Sequence, residues 1–85
     1  MLVTSARELG ILIRDRRQEA GLTAAEAADL AGVSRRLLLE VERGKRPNVG
    51  FAAVMRILAL LGLELDVRPR GLPGTRSTRR PGHDV

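Results

Sequence analysis

The sequence predicts a mainly α-helical fold: four short helices, two of them joined by a tight turn, followed by one short strand that pairs in a dimer. Three observations lead there. A polar capping residue stands where each helix would begin, and a glycine where each would end. Apolar residues recur at helical spacing between those marks. From Leu63 the apolar period shortens to two, as in a half-buried strand. Agreement of these local signals at every boundary is what makes the assignment coherent.

After an arm over Met1–Thr4, Ser5-Ala6-Arg7-Glu8 reads as a capping box, with a hydroxyl for the third amide and a glutamate that reaches back. The helix it opens should run to about Ala20, where Gly21 stops it. Leu9, Leu12, Ile13 and Ala20 keep helical spacing and are expected in the core. Arg14, Asp15, Arg16, Arg17 and Glu19 make a mixed-charge exterior.

Thr23-Ala24-Ala25-Glu26 is a second capping box and opens a helix of small residues that Gly32 ends. Val33-Ser34 restarts the chain at once: Ser34 is the N-cap, and Val33 is placed to staple onto Leu38. Gly44 ends this third helix. At 100° per residue, with Arg35 at zero, Leu39, Arg43, Arg36 and Glu40 fall between about 40 and 140°, while Leu37, Val41 and Leu38 fall between about 200 and 300°. The second set is the buried stripe. The first set is an outward face of three arginines, a glutamate and an exposed leucine. Such a face is either the solvated side of a bundle or a surface that meets a polyanion.

The loop from Gly44 to Asn48 offers backbone amides and two cations, Lys45 and Arg46, that suit phosphate contacts. Asn48 is expected to cap a fourth helix from Val49 to Leu61, ended by Gly62. Its inner stripe is Val54, Ile57, Leu58 and Leu61; Phe51, Met55 and Arg56 are left for the outside. Residues 63–68 alternate strictly between apolar and charged, so Leu63, Leu65 and Val67 share one face. Residues 5–68 thus form one domain, and 69–85, rich in Pro, Gly, Ser, Thr and Arg, form a flexible basic tail. Arg76, Arg79 and Arg80 stand there among small residues and can follow phosphates or an acidic partner.

Composition narrows the function. The chain has 85 residues, a formal charge of +5 and a sequence pI near 11.4, a balance that favours polyanions. Phe51 is the only aromatic residue, which argues against single-stranded nucleic acid and its stacking platforms. With no cysteine there is no disulfide and no thiolate metal site, which fits a reducing cytoplasm. His83, the one histidine, lies in the polar tail. No glycine-rich phosphate loop or apolar-set carboxylate pair is present, so neither an enzyme nor a cofactor or metal is expected. The apolar run from Val49 to Leu65 is broken by Arg56, Gly62 and Glu64, and no signal peptide or membrane span is read.

Ala28, Gly32, Val33, Leu38 and Val41 occupy the small, turn and apolar places of a helix-turn-helix. With Gly21-Leu22-Thr23 before them and Glu42 to Pro47 after, the stretch resembles the XRE or lambda-repressor-like family of DNA-binding domains. That resemblance implies double-stranded DNA as partner. Arg35, Arg36, Leu39 and Glu40 become the expected base readers, and Thr23, Ser34, Arg43, Lys45 and Arg46 the expected backbone contacts. It also implies that Arg17, four residues before Gly21, pairs with Glu42. One departure is clear: many XRE proteins carry glutamine just after the threonine, where this chain has Ala24 and Ala25, which leaves more of the readout to Arg35, Arg36 and Leu39.

Four helices followed by one strand are similar to the HipB-type antitoxins. That likeness implies a homodimer joined through Leu63, Leu65 and Val67, with those side chains against the helices. It implies a repressor of its own operon at a palindromic operator, and a HipA-type serine/threonine kinase toxin as partner. The alternative is a protein-interaction module on the same helical scaffold, without DNA binding.

Overall fold

The computed structural model of the protein describes residues 2–45 and 48–69; Arg46, Pro47 and the expected tail from 70 onward lie outside them. Four helices follow in order: α1 (Ala6–Glu19), α2 (Ala24–Ala31), α3 (Arg35–Glu42) and α4 (Phe51–Leu60). α1 packs on α3, and α2 packs on both α3 and α4.

All four helices stop by the same device. At the end of α2, Gly32 turns left-handed (φ 72°), its amide donates to the Asp29 carbonyl, and the Val33 amide donates to Ala28 at 3.0 Å. This pair of bonds satisfies carbonyls that would otherwise have no partner, and a Cβ at Gly32 would oppose the turn. The bonds recur at Gly21–Leu22, Gly44–Lys45 and Gly62–Leu63. Leu22, Val33 and Leu63, the residues just past three of these turns, then fold back onto the core.

The starts are less uniform. Thr23 closes a complete box: its hydroxyl accepts from the Glu26 amide at 3.1 Å, and its own amide donates to the Glu26 carboxylate at 2.9 Å. Ser34 accepts from the Leu37 amide at 3.0 Å. Ser5 accepts from Glu8 as expected, but the Glu8 carboxylate turns to Thr4, taking its amide at 2.7 Å and its hydroxyl at 2.8 Å. Two donors on Thr4 outweigh the single amide of Ser5, and they hold the Glu8 carboxyl below its ordinary pKa. α4 starts later than the sequence suggested. Its N-cap is Gly50, with no side-chain cap, and Asn48 lies in the turn before it.

Ile13 from α1, Leu38 from α3 and Ile57 from α4 are wholly enclosed at the centre. α2 buries Ala27, Ala28 and Ala31 in this core and packs Ala24 at its edge, and their small size lets α3 and α4 close on it from two sides. Truncating any of the three large residues to alanine would cost about 2–5 kcal/mol. Gly10 is buried where α1 meets α3: a Cβ there would sit 2.5 Å from the Glu42 carbonyl oxygen and closer still to that of Val41. The absence of a side chain at Gly10 is thus what allows the two helices to touch.

Several expectations are corrected. Ala20 is exposed, because the chain has already left the helix at that point. Arg16 and Arg56 are more than exterior charges. Arg16 Nε donates to the Leu61 carbonyl at 3.0 Å and Arg56 Nε to the Ala31 carbonyl at 3.2 Å, so each guanidinium closes the negative end of another helix. No strand is formed among the described residues of 63–69. Leu63 is half-buried, but Leu65 and Val67 are 51% and 82% exposed and do not lie against the helices.

Candidate nucleic-acid interface

α3 is eight residues long, about 12 Å, and is held at both ends. Its start is fixed by Ser34 and by Val33, which is packed against the core to which Leu38 belongs. Its end is fixed by a buried ion pair. Arg17 Nε reaches Glu42 Oε2 at 2.7 Å, a second guanidinium nitrogen reaches Oε1 at 2.9 Å, and the third donates to the Leu22 carbonyl at 3.0 Å. All three guanidinium nitrogens and both carboxylate oxygens are thereby occupied, which is the condition under which a buried pair is tolerable. The hydrogen bonds to Glu42 raise the Arg17 pKa, against the opposing effect of burial. The pair ties α1 to the last turn of α3 and to the entry of α2, so one guanidinium joins three helices.

With Leu38 and Val41 buried, Arg35 and Arg36 project from the first turn of α3 into solvent. Arg36 Nε lies 3.2 Å from Glu40 Oε2, and the Arg36 side chain remains 85% exposed. This leaves the guanidinium oriented and its terminal nitrogens available as a fork. Arg43 and Lys45 are exposed at the far end of the helix, while Arg46 lies outside the described residues. The Thr23 and Ser34 oxygens accept helix amides, yet each hydroxyl hydrogen can still be donated to an incoming oxygen.

Leu39 is half-buried, not exposed as the helical wheel suggested. It lines a shallow polar groove between α1 and α3, with Arg14, Gln18 and Arg43 also contributing and the Arg17–Glu42 pair beneath. The sequence placed Arg14 on a generic charged exterior and gave Gln18 no role. Only the crossing of α1 over α3, set by Gly10, brings them beside the outward face of α3. Leu63 anchors its segment through an amide that donates to the Leu58 carbonyl at 2.8 Å, and Arg68 pairs with Asp66. Among the described residues no cluster of His, Cys, Asp or Glu is arranged to hold a metal, and no helix is long and apolar enough to cross a membrane.

This arrangement has known counterparts. An uncharacterised HTH-type transcriptional regulator, y4mF, from Sinorhizobium fredii (strain NBRC 101917 / NGR234) is 32% identical over 69 residues, covering 81% of this chain and 90% of that one. The crystal structure of the restriction-modification controller protein C.AhdI from Aeromonas hydrophila superposes with a TM-score of 0.64 at 30% identity, covering 69% of this chain and 88% of that one. The family pattern described as a helix-turn-helix domain spans residues 8–70. With α2, the Gly32 turn and α3 all inside that span, the chain belongs to the helix-turn-helix domain family, of the XRE-like kind.

Proposed function

We propose that the protein is a sequence-specific double-stranded DNA-binding regulator of transcription. One observation carries this reading: a rigidly held α3 presents Arg35 and a Glu40-oriented Arg36 from its first turn, the end that enters a major groove deepest in this motif. An arginine fork matches the O6 and N7 acceptors of guanine. Lys45 and Arg43, with the hydroxyls of Thr23 and Ser34, serve the phosphates and set position without reading sequence. The names of the two relatives, a transcriptional regulator and a controller protein, support the same reading. The protein acts by binding, not by catalysis, and needs no cofactor.

The reading extends to a homodimeric repressor. Leu65 and Val67 are exposed on a segment without a pairing partner among the described residues, and a second copy related by a two-fold axis would pair one edge of this segment with the same edge of its mate. Two recognition helices about 34 Å apart would then call for a nearly palindromic operator. The antitoxin role, with a HipA-type kinase as partner, is the furthest extension and draws on the four-helix order and the alternating 63–68 stretch. Co-purification with the product of a neighbouring kinase gene is its test.

The central test is to incubate the purified protein with fragmented genomic DNA and sequence what it retains. Recovery of a discrete inverted repeat is expected. Retention without any shared motif, or no retention at low salt, would overturn the reading and favour a protein-interaction module on the same scaffold.

A further inference from the structure

The arginines among the described residues fall into two groups. Arg16, Arg17, Arg36, Arg56 and Arg68 each hold a carbonyl or a carboxylate. Arg7, Arg14, Arg35 and Arg43 have no such partner among the described residues and are exposed, so the fold itself gives their charges no work. Their positions are not scattered. Taking Gly10, the point of contact with α3, as zero on α1, Arg17 falls at about −20° while Arg14, Arg7 and Gln18 fall at about 40, 60 and 80°. These three residues therefore border the α3 contact along one flank. The acidic residues of α1, Asp15, Glu8 and Glu19, fall at about 140 to 180°, too far round to neutralise that flank.

Two contacts carry the flank across to α3. Arg14 and Gln18 share the groove with Leu39 and Arg43. At the other end, the Arg7 backbone lies against Gly44, where a Cβ would come within 2.8 Å of the Arg7 Cα, so Arg7 sits beside the turn that presents Lys45. Arg7 and Arg14 are two helical turns apart, about 10.5 Å along the axis, comparable with the axial rise of about three nucleotides on one strand.

We propose that Arg7 and Arg14 of α1 form a second DNA-backbone contact, gripping phosphates of the strand that runs beside α3 together with Arg43 and Lys45. Gln18 donates to a further phosphate oxygen from the same flank. The inference rests on the DNA-binding reading and adds a surface to it: α1, as well as the helix-turn-helix, touches the duplex, and the added contacts are blind to sequence.

The test uses the full chain and a random-sequence duplex of about 30 base pairs, with binding measured across a potassium chloride series; each lost phosphate contact should flatten the log–log salt slope by about 0.9. Arg7→Gln and Arg14→Gln are each expected to flatten it by that amount for each bound copy of the chain, about 1.8 for the proposed dimer. Arg68→Gln removes the same charge from the segment after α4, outside the groove between α1 and α3, and is expected to leave the slope unchanged. Thermal unfolding of each variant confirms that the fold is intact, since neither arginine has a structural partner to lose. If wild type binds while both variants keep its slope, or if Arg68→Gln flattens it equally, α1 is not a phosphate contact and the inference falls alone. If wild type shows no salt-dependent binding, the DNA-binding reading falls with it.

Discussion

The two ends of this small domain are built differently. Around α1, α2 and both ends of α3, polar groups close on one another: Arg17 with Glu42 and the Leu22 carbonyl, Thr23 with Glu26, Ser34 with the Leu37 amide. Around α4 and the segment after it, α4 has no side-chain cap, Phe51 is 68% exposed, and Leu65 and Val67 stand in solvent. The first region is complete in one chain and holds α3 at a fixed angle. The second ends in apolar surface without a counterpart among the described residues. A part that must present side chains to a fixed surface is locked; the part left open is the one proposed to be completed by a second copy.

The sharpest way to break this contrast is to remove Glu42. Glu42→Ala leaves the Arg17 guanidinium buried without its carboxylate, and losing one partner of such a pair costs about 3–5 kcal/mol. Urea denaturation should show that loss, a large share of the stability of a domain this size. A loss near 1 kcal/mol would mean that the pair is solvated and does not lock the three helices. The counterpart at the open end is Leu65→Asp. Because Leu65 is already 51% exposed in the single chain, monomer stability should move by no more than about 0.5 kcal/mol, while sedimentation shifts from dimer to monomer. A variant as dimeric as wild type would remove the 63–68 segment from the interface.

Readout gives a smaller effect. Arg36→Ala should erase about 1–3 kcal/mol of discrimination at one base pair, and Glu40→Ala part of it, since Glu40 orients the fork. Lys45→Ala should instead weaken every sequence alike. Competition between operator variants separates the two patterns, and uniform losses for all three would withdraw the base-reading assignment.

What the sequence could show follows from the range of each signal. Gly21, Gly32, Gly44 and Gly62 were legible as helix ends because a left-handed turn is a local demand on one residue. The Arg17–Glu42 pair came from family likeness, for nothing local joins residues 25 apart. Gly10, Arg16 and Arg56 were missed: a helical wheel gives the face of a residue but not the carbonyl or backbone that tertiary packing carries to it. Leu39 was misplaced for the same reason, since Arg14 and Gln18 reach it from another helix. At α4 the error was local. Asn48 is the better cap by residue type, yet the helix begins after Gly50.

That misfit supports the smallest and most exacting prediction. Gly50 holds an extended N-cap conformation (φ −66°, ψ 138°) that any residue adopts, and a Cβ there would meet nothing within 4 Å. Gly50→Ser would place a hydroxyl where it accepts from an amide of the first turn of α4, as Ser34 does for α3. Serine exceeds glycine at an N-cap by only a few tenths of a kcal/mol, and replacing glycine at a compatible site adds about 0.4–1 kcal/mol by restricting the unfolded chain. The sum, about 0.5–1.5 kcal/mol, should raise Tm by several degrees in a domain of this length. The gain belongs to α4 alone, so DNA affinity should not change. A lower Tm would show that α4 begins elsewhere, with Asn48 as its cap after all, and the open end of the molecule would then be better closed than the contrast with α3 requires.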